Sequence, residues 1–180
     1  MNQRLRLVPP ILLALALLGL GPALAPALAQ AQPATLAEAV REAPRLGELA
    51  GILEESGLLA DLGQPARLTF FAPSDLALER TDPALLEMML RDPGVLDVIV
   101  RHHLLIGASP LAALRRLDAV TTLEGTRLPV QDDGDVVRVG GVPLRGDPVR
   151  TGNGVLYVVD TLLIPDAASM RKDLLSGPNP

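Results

Sequence analysis

In the first half of the chain, apolar residues recur at spacings of three and four positions, as they do on one face of an α-helix. The clearest repeat consists of Leu46, Leu49, Ile52 and Leu53. The stretch from Thr35 to Glu38 fits a capping box, which marks a helix start. Three further starts pair a capping side chain with proline, the residue favoured at the first helical position: Asp82-Pro83, Asp92-Pro93 and Ser109-Pro110. The pattern predicts several short helices.

Beyond Asp118 the apolar positions form short runs that predict β-strands. The breaks between them are rich in glycine, asparagine and aspartate, which suit tight turns because glycine and asparagine tolerate a positive φ. The predicted strands are Val120 to Leu123, Leu128 to Gln131, Val136 to Val139, Val142 to Leu144 and Val155 to Val159, with an earlier one at Arg67 to Phe71. Asn153-Gly154 is expected to be a hairpin turn that sets strand register, and Asp160 to end the last strand. Helices first and strands later, without regular βαβ alternation, indicate an α+β domain.

The N-terminus has the layout of a secretory signal peptide, assigned to residues 1–29. Two arginines precede an uncharged apolar stretch, and small residues allow cleavage after Ala29 or after Ala31. An uncleaved membrane anchor is the alternative, which four prolines in the stretch disfavour. We therefore expect a secreted or periplasmic protein with no membrane span after cleavage. Residues 34–165 are the predicted domain, and the tail 166–180 is predicted to be partly disordered, with a possible short helix at its start.

Composition narrows the classes of function. The 180 residues include no cysteine, which excludes disulfides, zinc ribbons and cysteine nucleophiles. The formal net charge is −5 and only 2% of residues are aromatic. An acidic chain with so few stacking side chains is not expected to bind nucleic acid. The sequence also contains no Gly-x-Ser-x-Gly elbow, phosphate loop or dinucleotide fingerprint, so we predict no enzyme, no catalytic residue and no cofactor.

Three strings in order resemble the signatures of fasciclin domains: Thr69 to Ala77, Ile99 to Gly107 and Asn153 to Asp160. The first contains Phe70, Phe71, Ala72 and Pro73, which the resemblance marks as structural together with Asn153, Gly154 and Asp160. The resemblance covers Ala34 to Pro165. It implies a wedge of two small β-sheets packed with short helices, and membership of a group of mostly extracytoplasmic modules for adhesion or protein interaction without an established catalytic site.

Two positions depart from the family pattern. The second signature often has Tyr-His, and here His102 stands at the tyrosine position while His103 matches the histidine. Leu78 replaces the aromatic residue that usually closes the first signature. In animal members the Tyr-His region has been linked to receptor binding, so His102 and His103 are candidates for partner contact.

The helical spacing gives His103 a different interpretation. It shares a helix face with Leu96, Ile99 and Val100, where a histidine is expected to be buried and hydrogen-bonded. A partner contact and a proton-linked switch remain as alternatives. His102 lies about 100° further around the helix, so the two rings are not expected to share a metal ion.

Two other clusters are candidates for binding. Asp132 to Asp135 could hold calcium weakly, but the following segment lacks the remaining ligands of a calcium loop, and a solvated hairpin turn is the simpler interpretation. Arg145, Gly146 and Asp147 spell the tripeptide that animal integrins recognise. Pro148 follows and the surrounding sequence is rich in strands, so a turn between strands is the alternative.

The leading hypothesis is an exported, non-catalytic module that binds a protein or another cell-surface macromolecule, for adhesion or protein interaction. The alternative is a periplasmic carrier of a small apolar ligand held between helices and sheet, since the chain is rich in leucine. A leucine-lined cavity of roughly 300 Å³ or more would favour the carrier. A contiguous exposed apolar patch would favour the binding module.

Overall fold

The computed structural model describes residues 32–166, which form seven helices and eight strands. The helices are α1 Leu36–Glu42, α2 Gly47–Glu55, α3 Leu58–Asp61, α4 Asp75–Glu79, α5 Pro83–Arg91, α6 Pro93–His102 and α7 Leu111–Leu114. The strands are β1 Leu68–Pro73, β2 Leu104–Ile106, β3 Ala119–Thr121, β4 Arg127–Asp132, β5 Val137–Val139, β6 Val142–Pro143, β7 Val149–Thr151 and β8 Gly154–Val159. The α+β class predicted from the sequence is confirmed.

The predicted signal peptide, residues 1–29, lies outside the described residues, as does the predicted tail after Asp166. Across residues 32–166 we find no helix with the length and apolar character that crossing a membrane requires.

The strands form two four-stranded sheets. Sheet A has the order β2-β1-β8-β7, and sheet B has the order β3-β4-β5-β6. The central pair of sheet A, β1 and β8, is parallel, with register from Leu68 opposite Gly154 to Pro73 opposite Val159. Every other pairing between these strands is antiparallel. The first and last strands of the domain, β1 and β8, therefore lie side by side in the middle of sheet A.

Sheet A is buried on both faces. Phe70 and Leu156 belong to a core shared with the helices, whereas Phe71 and Tyr157 belong to a core shared with sheet B. The rings of Phe71 and Tyr157 pack with their centroids 5.6 Å apart. A strand buried on both faces needs apolar side chains at consecutive positions, which explains why β1 and β8 lack the alternation typical of half-exposed strands.

Most predicted helix starts are confirmed. The hydroxyl of Thr35 accepts from the Glu38 amide, and the Glu38 carboxylate accepts from the Thr35 amide, as a capping box requires. Asp82 and Asp92 cap α5 and α6 ahead of a proline. The prediction for Ser109 is wrong, because α7 begins after Pro110 without a side-chain cap. The backbone of Ser109 instead bonds to the hydroxyls of Thr69 and Tyr157.

The predicted strands are confirmed, and β2 and β7 are additional strands. The turn predicted at Asn153-Gly154 lies one residue earlier, because Thr151 pairs with Gly154: Gly152 and Asn153 are the turn residues, and Gly154 is the first residue of β8. The reason proposed for asparagine here is wrong, since no described residue other than glycine has a positive φ. Position 154 requires glycine because neighbouring chain segments pack closely against it. A Cβ there would lie 2.1 Å from the Leu68 carbonyl oxygen and 2.9 Å from Leu36 Cδ1.

We expect Gly154→Ala to lower the free energy of unfolding by about 3 kcal/mol or more, because β1 and β8 must separate to admit a methyl group. Gly51→Ala is the control, since nothing lies within 4 Å of a Cβ at that position in α2. The control should be more stable than the parent by about 0.5–1 kcal/mol. Urea denaturation followed by circular dichroism measures both, and equal effects would contradict the proposed role of Gly154.

Candidate functional site

Two buried histidines end α6 and connect it to different parts of the domain. The helix starts at the Asp92 cap and buries six of its ten residues, including His102. His103 is the residue that follows the helix and acts as its C-cap. Because adjacent helical residues point about 100° apart, the two rings reach different elements.

His103 is buried and fully hydrogen-bonded, as its position on the apolar face predicted. It is 1% exposed. Its Nδ1 lies 2.8 Å from the Ile99 carbonyl oxygen, and its Nε2 lies 3.0 Å from the Leu163 amide nitrogen. The carbonyl must accept and the amide must donate, so the proton of the neutral ring is on Nδ1. Burial lowers the pKa of His103 to about 4, an effect that the Ile99 hydrogen bond opposes and the neighbouring His102 reinforces.

His102 forms a buried pair with Glu124. Its Nδ1 lies 2.5 Å from Glu124 Oε1, and each of the two side chains is 2% exposed. Glu124 lies in the turn between β3 and β4, so the pair joins α6 to sheet B. In the sequence, Glu124 stands with Gly125 in a break between two predicted strands. Its position between a predicted strand and a glycine offered no signal that its carboxylate points inward.

Both histidines were candidates for partner contact, and the structure places both inside the domain. A partner could touch either ring only if the ring left the interior. Among residues 32–166 no group of three or more histidine, cysteine, aspartate or glutamate side chains is arranged to hold a metal ion.

Asn153 links three separate segments through one buried side chain. Its Oδ1 accepts from the Leu36 amide at 2.8 Å, and its Nδ2 donates to the carbonyl oxygens of Leu62 at 2.9 Å and Gln64 at 2.7 Å. The turn between β7 and β8 is thereby fixed to α1 and to the chain after α3. These three hydrogen bonds give the physical reason for asparagine at this position.

Asp160 follows β8, as predicted, and also anchors the ends of the central strands. It accepts a hydrogen bond of 2.8 Å from the Ser74 hydroxyl and forms an ion pair with Arg45. Ser74 also caps α4. The contact with Arg45 was not predicted, because Arg45 and Asp160 are 115 residues apart in the chain and no local pattern relates them.

The carboxylates of Asp132 and Asp133, in the acidic turn at the end of β4, accept hydrogen bonds from the protein itself. Asp132 Oδ1 accepts from Arg115 Nη1 at 2.6 Å and from the Gly134 amide at 3.0 Å. Asp133 Oδ1 accepts from the Val136 amide at 2.9 Å. These bonds support the hairpin-turn interpretation of Asp132 to Asp135.

Arg145, Gly146 and Asp147 are exposed in the connection between β6 of sheet B and β7 of sheet A. Gly146 has φ +74°, a left-handed conformation that glycine adopts without strain. Among the described residues we find no hydrogen bond or ion pair to either charged side chain. The loop starts at buried Leu144, whose amide donates to the Val137 carbonyl at 2.8 Å. An anchored, exposed turn thus carries two opposite charges that have no partner within residues 32–166.

An apolar cavity of about 20 Å³ lies in the core between the helices and sheet A, with room for about one water molecule. Leu49, Met89, Leu162 and the His103 ring are among its walls. Pockets for small-molecule ligands usually measure roughly 300 Å³ or more. In this state the cavity gives the carrier alternative no support.

Comparison with known protein families identifies one that accounts for these features. Residues 44–165 match the model of the fasciclin domain. A solved structure titled as the FAS1 domain pair of the insect cell adhesion molecule fasciclin I superposes with a TM-score of 0.64, at 18% identity, over 79% of this chain and 53% of that chain. At that identity the likeness shows a common fold.

Curated relatives come from animals and bacteria. Human periostin is 30% identical over 66% of this chain and 14% of its own length. The transforming growth factor-beta-induced protein ig-h3 of Sus scrofa is 35% identical over 66% of this chain and 18% of its own length. The cell surface glycolipoprotein MPB83 of Mycobacterium bovis is 31% identical over 66% of this chain and 53% of its own length. The chain thus matches a small part of the animal proteins and about half of the bacterial one.

Loss of the Asn153 side chain should destabilise the domain strongly. We expect Asn153→Ala to lower the free energy of unfolding by about 3 kcal/mol, because it leaves a buried amide and two carbonyl groups without a partner. Asn153→Asp should also destabilise, since it retains the acceptor for Leu36 but loses both donors. Gln131→Ala, at an exposed amide in β4, is the control, and urea denaturation is the measurement. A change below 1 kcal/mol for Asn153→Ala would contradict this role.

The buried pair of His102 and Glu124 should depend on an acceptor at position 124. We expect Glu124→Ala to cost about 2–3 kcal/mol of unfolding free energy and Glu124→Gln to cost less, because the amide oxygen can still accept a hydrogen bond. Glu55→Ala, at an exposed position of α2, should change stability by less than about 0.5 kcal/mol. Thermal unfolding of the three variants at one pH tests this order. It would be refuted if Glu124→Ala behaved like the surface control.

Proposed function

This chain belongs to the fasciclin domain family, and we propose that it is an exported, non-catalytic module for adhesion or protein interaction at the cell envelope or outside the cell. Fasciclin domains are modules found in adhesion and cell-surface proteins and are generally non-catalytic binding modules. The partner in this proposal is a protein or another macromolecule of a cell surface. The predicted signal peptide supports export, to the periplasm or beyond.

The polar side chains in the interior have structural partners, and this favours a binding role for the surface over a catalytic role for the interior. His102, His103, Asn153 and Ser74 each bond to groups of another segment, so their donors and acceptors hold the layers together. A catalytic group needs a reacting atom of the substrate within hydrogen-bond reach, and these side chains are buried against the protein itself. Recognition at the surface is the function that the remaining exposed groups support best.

The exposed turn Arg145-Gly146-Asp147 is the observation that carries the proposal of a contact site. A guanidinium and a carboxylate that have no partner in the described part of the chain are available to a partner surface that offers an acidic and a cationic pocket. Charged groups already paired within the domain would have to break those bonds first. The anchored ends of the loop also limit the conformational entropy lost on binding. Animal integrins recognise this tripeptide, which makes them the first partners to test.

Removal of either charge should therefore weaken attachment. We expect Arg145→Ala and Asp147→Ala each to reduce the binding of purified integrin to the immobilised protein at least about tenfold, because each loses one of two charge contacts. Arg150→Ala, at an exposed arginine of β7 close to the loop, is the matched control and should bind like the parent. Surface plasmon resonance in the presence of Mg²⁺ measures all four proteins. Full binding by Arg145→Ala would exclude this loop as the contact site.

A further inference from the structure

The chain after β8 is held in the core next to a titratable ring. Leu162, Leu163 and Pro165 are buried, although residues 162–166 lie outside any helix or strand. The Leu163 amide donates to His103 Nε2 at 3.0 Å. Leu162 and the His103 ring form part of the wall of the same apolar cavity. The His103 ring therefore contacts both this segment and the cavity that Leu162 lines.

The hydrogen bonds of His103 leave no place for a second proton. Nδ1 already carries the proton that it donates to the Ile99 carbonyl, so an added proton must go to Nε2. The new N–H would then face the Leu163 N–H across 3.0 Å, and neither group can accept from the other. The ring is 1% exposed, so water cannot solvate the charge unless the surroundings move.

We propose that protonation of His103 at Nε2 expels the Leu163 amide, releases residues 162–166 from the core and widens the apolar cavity by removing one of its walls. The proton from solvent is the only reactant, and no covalent bond other than N–H forms. The charged ring becomes hydrated in the released state, and the freed Leu163 amide binds water. The cavity widens because Leu162 leaves its wall together with Leu163.

The direction of the pH dependence follows from the proton balance. Burial lowers the pKa of His103 to about 4 in the closed state. In the released state the hydrated ring should titrate near its usual value of about 6.5. Between these values the released state binds more protons, so its population should rise about tenfold for each unit of decrease in pH, or about 300-fold in total. Above pH 6.5 the population should not depend on this ring.

Other charged groups near the segment need controls. His102 adjoins His103, and its ring contacts the Glu124 carboxylate. Asp160 precedes the segment and bonds to Arg45 and Ser74, and Asp166 is a further carboxylate at the end of the segment itself. His102→Gln, Asp160→Asn and Asp166→Asn remove these titratable groups separately. Each should leave a pH-dependent release of Leu163.

Amide hydrogen exchange measured by NMR tests the proposal on the whole chain. The protection factor of the Leu163 amide should fall about tenfold per pH unit between pH 6.5 and 4. The Leu144 amide, which bonds to Val137 in sheet B, reports on global unfolding and should keep a much larger protection factor than the Leu163 amide at every pH. His103→Gln should remove the pH dependence, because its amide can donate to Ile99 and accept from Leu163 but does not titrate.

Three results would overturn the proposal. One is an equal protection factor for the Leu163 and Leu144 amides, which would show that both exchange only by global unfolding. Another is an unchanged pH dependence in His103→Gln. Should that variant fail to fold, the ring of His103 and the Leu163 amide can be titrated by NMR in the parent. Protection of Leu163 that persists below the midpoint of the ring would also contradict the release.

Discussion

The whole domain depends on one constraint, the burial of both faces of the parallel pair β1 and β8. Helices cover one face through Phe70 and Leu156, and sheet B covers the other through Phe71 and Tyr157. Because both faces lose contact with water, every polar group at the edges of this pair needs a partner from the protein. The fold thus requires a set of buried hydrogen bonds between layers.

Those hydrogen bonds lie at the two ends of the central pair. At the start of β8, Asn153 fixes the β7–β8 turn to the helices. At the far end, Asp160 bonds to Ser74 and Arg45, and the His103 ring joins α6 to the segment that follows β8. The His103 ring therefore contributes to the stability of the domain at neutral pH. This contribution is lost in acid, because only the neutral ring fits the hydrogen bonds of the site.

The buried hydrogen-bonded side chains and the proposed contact site lie in different parts of the domain. The interior polar side chains stabilise the layers, while the Arg145-Gly146-Asp147 turn lies between the two sheets, and neither of its charges has a partner among residues 32–166. An interior that needs all its polar groups leaves the surface loops free to vary. A family of binding modules with different partners is compatible with such a division.

The sequence by itself determined the α+β class, most helix caps, the strand segments and the burial of His103, because caps, turns and apolar spacing act over a few residues. It also led to the family through three short strings. The tertiary structure decided what those residues contact: Glu124 as the partner of His102, Arg45 as the partner of Asp160, and Gly154 as a close approach to Leu68. Such contacts join residues far apart in the chain, and local sequence patterns carry no information about which distant groups will meet.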